Sequence, residues 1–384
     1  MTRSMGCSAF LLLAVTLCCA QARPRARDLG VPFDGKPGPY NAITDVKGVE
    51  VGHTTLISGE GKLKVGQGPV RTGVTAILPR GKGSDDSVFG GWFSLNGNGE
   101  MTGTAWLEES GFLDGPVMIT NTHSVGTVRD AVIAWKVKHS EADQDGYWWS
   151  LPVVAETWDG FLNDVNGFHV KPEDAVHALE SAHDGPVEEG NVGGGTGMIC
   201  YEFKGGIGTS SRVVEAKYGS YTVGVLVQCN YGRRSQLRIA GVPVGREIPG
   251  HVYSDDVGDV GSIIVVVATD APLLPTQLKR LARRVALGLG RGGGYSGNGS
   301  GDIFIAFSTG NAGAEAAEGV RHIEMLPNER LDPLFLATIQ ATEEAVVNAL
   351  VAADSMSGID GHTAVAIPHD KLREALKKYT RLGK

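Results

Sequence analysis

The chain has 384 residues, a formal net charge of −8 at neutral pH, 42% hydrophobic residues and 55 glycines. That length is ample for a sizeable core in one large domain or two, and the glycines point to many turns between short strands. No run of lysine or arginine is long enough to form a nucleic-acid footprint, so a polyanion partner is not expected.

Arg3 supplies a positive n-region, Ala9 to Cys19 an apolar h-region, and Ala20-Gln21-Ala22 a small-residue cleavage signal. This pattern predicts that residues 1–22 are an export signal and that the mature chain is periplasmic or secreted. The apolar run is short for a spanning helix, so no stable membrane insertion is expected once it is removed. Residues 23 to 28 read as a polar, unstructured lead into a single catalytic domain over 23–384. Cys7, Cys18 and Cys19 leave with the signal. Cys200 and Cys229 remain in apolar, strand-like text, which favours buried free thiols over the one disulfide that an oxidising compartment allows.

Further along, Asn96-Gly97-Asn98-Gly99-Glu100 reads as a turn whose Glu100 could meet a substrate ammonium group. The block Asn121 to Gly126 invites a serine-histidine reading, but no Gly-x-Ser-x-Gly elbow accompanies it. His123 is therefore structural or pocket-lining, with Gly126 a candidate substrate-binding position. The glycine clusters at 193–197 and 292–294 do not continue into Gly-Lys-Ser/Thr, which argues against a phosphate loop. With no HExxH and no paired cysteine motif, neither metal nor organic cofactor is expected.

Val223 to Val227, Ile263 to Ala268 and Ile303 to Phe307 are β-branched or aromatic runs that read as strands buried on both faces. Asn230 closes the first of them, where a side-chain amide could donate to a developing oxyanion. Tyr231 to Val260 is strand-poor and reads as an excursion. Leu278, Leu281, Ala282, Val285 and Leu289 recur at helical spacing, with Gly290 as a stop and a basic cluster on the solvated side. Phe335 to Leu350 forms a second helix with Pro333 near its start. Glu343 falls on its apolar face, where a carboxylate needs a partner or a raised pKa.

The segment Gly297-Asn298-Gly299-Ser300-Gly301-Asp302 delivers a serine to the mouth of a hydrophobic strand. A backbone break between Gly299 and Ser300 would start a new chain at the serine. Its hydroxyl would then be a nucleophile and its own α-amino group a nearby base, with a reference pKa of about 7.7 to 8.0. Glycine on either side permits tight backbone geometry.

The text GNGSGDIFIAFSTGN resembles the self-cleavage junction of the DmpA-type family of self-processing aminopeptidases, which includes D-aminopeptidases and β-peptidyl aminopeptidases. The resemblance runs from about Arg25 to His362, through GPVRTGVTAILPRG, TNTHSVGTVRDA, YTVGVLVQCNYG and ATEEAVVNAL. It implies an α/β fold, a four-layer α/β/β/α sandwich similar to N-terminal-nucleophile hydrolases but with DmpA-type topology. It further implies self-cleavage into an α chain 23–299 and a β chain 300–384, and a homo-oligomer of αβ protomers. The implied substrates are short peptides, amides or esters, hydrolysed through an acyl-enzyme on Ser300. Asn230 takes the oxyanion role, and Thr342 with Glu343 or Glu344 takes the role of assisting the nucleophile. Trp158 stands where the family has an active-site tyrosine, and an indole cannot supply a phenol hydroxyl. An acyltransferase of similar fold is a second reading, although the resembling ornithine acetyltransferases use threonine at the processed position. A non-enzymatic periplasmic binding protein is a third.

Overall fold

Short apolar runs bounded by glycine build two stacked sheets. The computed structural model describes residues 23–139, 149–253, 258, 261–316 and 318–383, so the export signal expected at 1–22 lies outside the described residues. In chain order the sheet strands are β1 (Glu50–Ser58), β2 (Val70–Leu78), β3 (Val88–Ser94), β4 (Phe112–Leu113), β5 (Val117–Asn121), β6 (Val153–Thr157), β7 (Gly206–Val213), β8 (Thr222–Asn230), β9 (Ser262–Thr269) and β10 (Gly301–Ser308). The principal helices are α1 (Val125–His139), α2 (Pro172–Glu180), α3 (Pro275–Arg291) and α4 (Asp332–Val351). The smaller sheet has the order β1-β2-β5-β6 and the larger β4-β3-β10-β9-β8-β7.

Period-two alternation assigns each strand residue to a layer. Ile264, Val266 and Ala268 of β9 join Ile303, Ile305 and Phe307 of β10 in an apolar layer between the sheets, opposite Val117 and Ile119 of β5. Ile263, Val265 and Val267 point the other way, into a core shared with Leu278, Leu281 and Val285 of α3 and Ala341 and Ala345 of α4. Across the smaller sheet, Val74, Met118 and Val154 pack with Val128 and Val132 of α1 and Ala175 and Leu179 of α2. The four-layer α/β/β/α sandwich is thus the observed architecture. Helix α4 is long and apolar enough to cross a membrane, but most of it is buried inside the fold.

Three local expectations change. Cys200 and Cys229 form a disulfide with Cα atoms 5.5 Å apart, not two free thiols. The cause is tertiary: the Tyr201 N–H donates to the Tyr231 carbonyl at 2.7 Å, laying residues 199–200 beside the end of β8. Residues 23 to 28 are a tied strap, not a loose lead: Arg23 pairs with Asp354, Arg25 with Glu189 and Arg27 with Glu344, each at 2.7 Å. The basic cluster of α3 also packs: the Arg284 guanidinium lies 3.9 Å from the Phe335 ring centre, and Arg283 lies 5.4 Å from that of Phe93.

Helix α4 approaches β7 so closely that a Cβ at Gly208 would lie 2.0 Å from the Ala345 carbonyl oxygen and 2.6 Å from the Ala349 nitrogen. Gly208→Ala is therefore expected to destabilise the protein by about 1–3 kcal/mol through overpacking. Urea unfolding measures this; an unchanged midpoint would contradict the close packing of this layer.

Candidate active site

Strand register creates the site. Asn230 of β8 pairs with Ser262 of β9, and Ser262 pairs with Gly301 of β10, so the three stand in a row at one end of the larger sheet. Ser300, one residue before this row, is fully buried. Its Oγ donates to Asp302 Oδ1 at 2.6 Å, and its backbone N–H donates to the Gly297 carbonyl at 2.9 Å. The Gly301 N–H reaches Ser262 Oγ at 3.2 Å.

The turn after β3 clasps the segment before the serine. Asn96 Nδ2 donates to the carbonyls of Ser296 and Gly297 at 2.7 and 2.9 Å, and Asn98 Nδ2 donates to that of Gly299 at 2.8 Å. A Cβ at position 301 would lie 2.3 Å from the Asn98 carbonyl oxygen, so only glycine admits this turn. Close approach is thus the structural demand on Gly301.

A second acidic group borders the same turn. Glu156, buried on β6, accepts the Glu100 N–H on Oε1 at 3.0 Å and the Thr122 hydroxyl on Oε2. The backbone at Gly99 is wedged between Glu156 and Gly301. Burial pushes the Glu156 carboxyl above its ordinary range and the Glu100 charge adds to this, against hydrogen bonds from Thr122 and the Glu100 N–H and the nearby His123. Glu100 and Gly126 are exposed, Gly126 in the first turn of α1. His123 is exposed and stacks on Phe168, with ring centres 5.8 Å apart.

Asn230 is held from both ends. Its Oδ1 accepts the Ile199 N–H at 2.7 Å and its Nδ2 donates to the Trp158 carbonyl at 3.0 Å, leaving one amide hydrogen for another acceptor. The Trp158 indole is exposed, and its carbonyl is the part that touches Asn230. Neighbouring Asp159 is buried among Asn121, Asn163 and Thr72, and burial raises its carboxyl to about 6 against their hydrogen bonds.

The structure gathers Ser300, Gly299, Glu100 and Asn230 at one end of the sandwich but does not bring Thr342, Glu343 and Glu344 to them. Those three lie in the outer helix layer. Thr342 donates to the Thr338 carbonyl, Glu343 pairs with Arg291 at 2.7 Å, and Glu344 binds Arg27, Arg212 and Asn41. Ser210, whose Oγ donates to the neighbouring Ala341 carbonyl, lies on β7 opposite Val225, five positions along β8 from Asn230. Glu344, not Glu343, is the fully buried carboxylate, because the strap carrying Arg27 covers that side of α4. Three residues of the site escaped the sequence reading: Asn98, Glu156 and Asp302. A glutamate inside the apolar strand text around Glu156, and an aspartate in the same strand phase as Ser300, were the available signals. Among the described residues no group of three or more His, Cys, Asp or Glu is arranged to hold a metal ion.

Residues 41–364 match the sequence profile of peptidase family S58. The chain is 60% identical over 374 residues to the β-peptidyl aminopeptidase BapA of Sphingosinicella microcystinivorans, covering 94% of this chain and 93% of that protein. It is 49% identical over 382 residues to the BapA of Sphingosinicella xenopeptidilytica, with 96% and 94% covered. The L-aminopeptidase D-Ala-esterase/amidase of Ochrobactrum anthropi, described as a new variant of the Ntn hydrolase fold, superimposes with a TM-score of 0.86 at 50% identity, covering 94% of this chain and all of that one.

Glu344 is paired with two guanidinium groups, those of Arg27 and Arg212. Burial opposes its ionised form, but hydrogen bonds and charge from Arg27 and Arg212, with Asn41, overcome this and hold its carboxyl below the ordinary range. Glu344→Ala strands two guanidinium groups and is expected to cost about 3–5 kcal/mol of stability near neutral pH. Because the folded pKa lies below the unfolded one, this contribution is complete above the ordinary carboxylate range and fades as pH falls through the folded value. Denaturant unfolding of both proteins from pH 7 into acid should show the gap narrowing; a gap independent of pH would contradict the ion-pair account.

Proposed function

The chain belongs to peptidase family S58 and is an aminopeptidase of the Ntn-hydrolase fold, and on that premise we propose that it is an exported, self-cleaving serine aminopeptidase acting through Ser300. The observation that carries the reading is the buried Ser300 hydroxyl, held at the mouth of β10 beside a clasped Gly299 carbonyl. Cleavage at that bond frees the Ser300 α-amino group, which takes the hydroxyl proton as Oγ attacks the carbonyl of a substrate's first residue. The remaining amide hydrogen of Asn230 meets the oxyanion, the leaving amine departs protonated, and water releases the acyl group from the ester. Glu156, with Glu100 at its edge, receives the substrate's ammonium group. The assisting role that resemblance gives to Thr342, Glu343 and Glu344 is not required by this scheme.

Short peptides, amides and esters with a free amino end are the substrate class, and identity to the two β-peptidyl aminopeptidases favours an N-terminal β-amino residue. Family membership removes the binding-protein alternative. A disulfide between Cys200 and Cys229 suits the oxidising compartment that export provides. Assembly of αβ protomers into a homo-oligomer belongs to the same reading.

Aminoacyl p-nitroanilides with α-L, α-D and β-linked residues, each free and N-acetylated, test the proposal on purified mature protein. Free β-aminoacyl compounds should turn over and their N-acetylated forms should not; equal turnover of blocked and free forms would sink the ammonium site. In already cleaved protein, Asn230→Ala should lower kcat per folded molecule by roughly 100-fold or more, since one oxyanion donor is lost, alongside a lowered unfolding midpoint, since the buried Ile199 N–H loses its acceptor. Normal turnover with reduced stability would instead make Asn230 a strand terminator.

A further inference from the structure

Cleavage of the chain and turnover of substrate pose different problems. Before cleavage Ser300 has no free α-amino group, because its nitrogen is the amide that must break. Its N–H is spent on the Gly297 carbonyl, so the precursor needs another proton acceptor and another oxyanion donor. Two side chains already touch the reacting atoms. Asp302 Oδ1 accepts the Ser300 hydroxyl at 2.6 Å, and Asn98 Nδ2 donates to the Gly299 carbonyl oxygen at 2.8 Å.

We infer that Asp302 and Asn98 are the catalytic residues of chain cleavage, with Asp302 as the proton carrier and Asn98 as the oxyanion donor, a set separate from the α-amine and Asn230 that serve turnover. This rests on the reading of Ser300 as a self-cleaving nucleophile. In the first step the Ser300 Oγ–H proton passes to Asp302 as Oγ bonds to the Gly299 carbonyl carbon. The carbonyl oxygen, now negative, keeps the Asn98 hydrogen bond. The bond between the Gly299 carbon and the Ser300 nitrogen then breaks, and the nitrogen takes the proton back from Asp302, leaving an ester and a free amine. Water adds to the ester carbonyl, the bond to Oγ breaks, and the products are a Gly299 carboxylate, a released proton and the Ser300 hydroxyl restored.

The surroundings fit a device that works once. The Asp302 carbonyl accepts the Leu95 N–H at 2.9 Å, which fixes the start of β10 to the segment carrying Asn96 and Asn98. Asn96 holds the carbonyls of Ser296 and Gly297, so the clasp immobilises the scissile loop while Asn98 addresses the one carbonyl that reacts. The absence of a side chain at Gly301 lets the Asn98 backbone come this close.

The test follows conversion of the full-length chain into two chains, by denaturing gel and intact mass, for wild type, Ser300→Ala, Asn98→Ala, Asn98→Asp and Asp302→Asn. Thermal unfolding of each uncut variant is compared with that of uncut Ser300→Ala. The inference expects conversion slowed on the order of 100-fold in the Asn98 and Asp302 variants, with unfolding midpoints matching Ser300→Ala. Conversion at the wild-type rate would overturn the inference while leaving Ser300 as the nucleophile. Slow conversion with a lowered midpoint would overturn it too, by giving these residues a folding role. A wild-type chain that stays whole, or a Ser300→Ala chain that is cut, would overturn the reading of Ser300 itself.

Discussion

Parallel pairing of β9 with β10 sets Gly301 level with Ser262 and, through the antiparallel pairing of β8, level with Asn230. A one-residue slip in that register would turn every side chain of β10 to the opposite face. Ile303, Ile305 and Phe307 would leave the layer between the sheets, and Ser300 would leave its place beside the row of Ser262 and Asn230. The hydrophobic alternation that builds the core is therefore also what positions the Ser300 hydroxyl. Since β10 is an interior strand flanked by β3 and β9, its position is determined from both sides.

The residues before Ser300 and those after it are joined by far more than the Gly299–Ser300 peptide bond. β10 is hydrogen-bonded between two strands of the preceding segment, and α4 lies on β7 and β8. Arg27 and Arg212 meet Glu344, tying the strap and the larger sheet to α4. A break at Gly299 would leave all of these contacts in place, which is the condition for an enzyme made of two chains from one.

Much of the fold was legible because its strands are buried on both faces and spell continuous β-branched text, as in Ile263 to Ala268 and Ile303 to Phe307. Helices α3 and α4 were legible from their period, from Gly290 near the end of the first and from Pro333 at the start of the second. The pairing of Cys200 with Cys229 was not, since it depends on which backbone lies beside the end of β8. The burial of Glu344 was hidden for a related reason: the wheel of α4 puts Glu343 on its apolar face and does not show the strap that covers another side. Ser300 stood out through its flanking glycines, and Asn230 through its place at a strand end. Asn98 looked like a turn residue because the carbonyl it binds is 201 positions away.

The central claim is that Ser300 becomes the first residue of a second chain and works from there. Intact-mass and amino-terminal analysis of the purified mature wild-type protein tests it most directly. The account predicts two chains, one ending at Gly299 and the other beginning at Ser300, present in equal amounts in the active protein. An active protein consisting of one uncut chain, or of two chains joined at any other position, would contradict it.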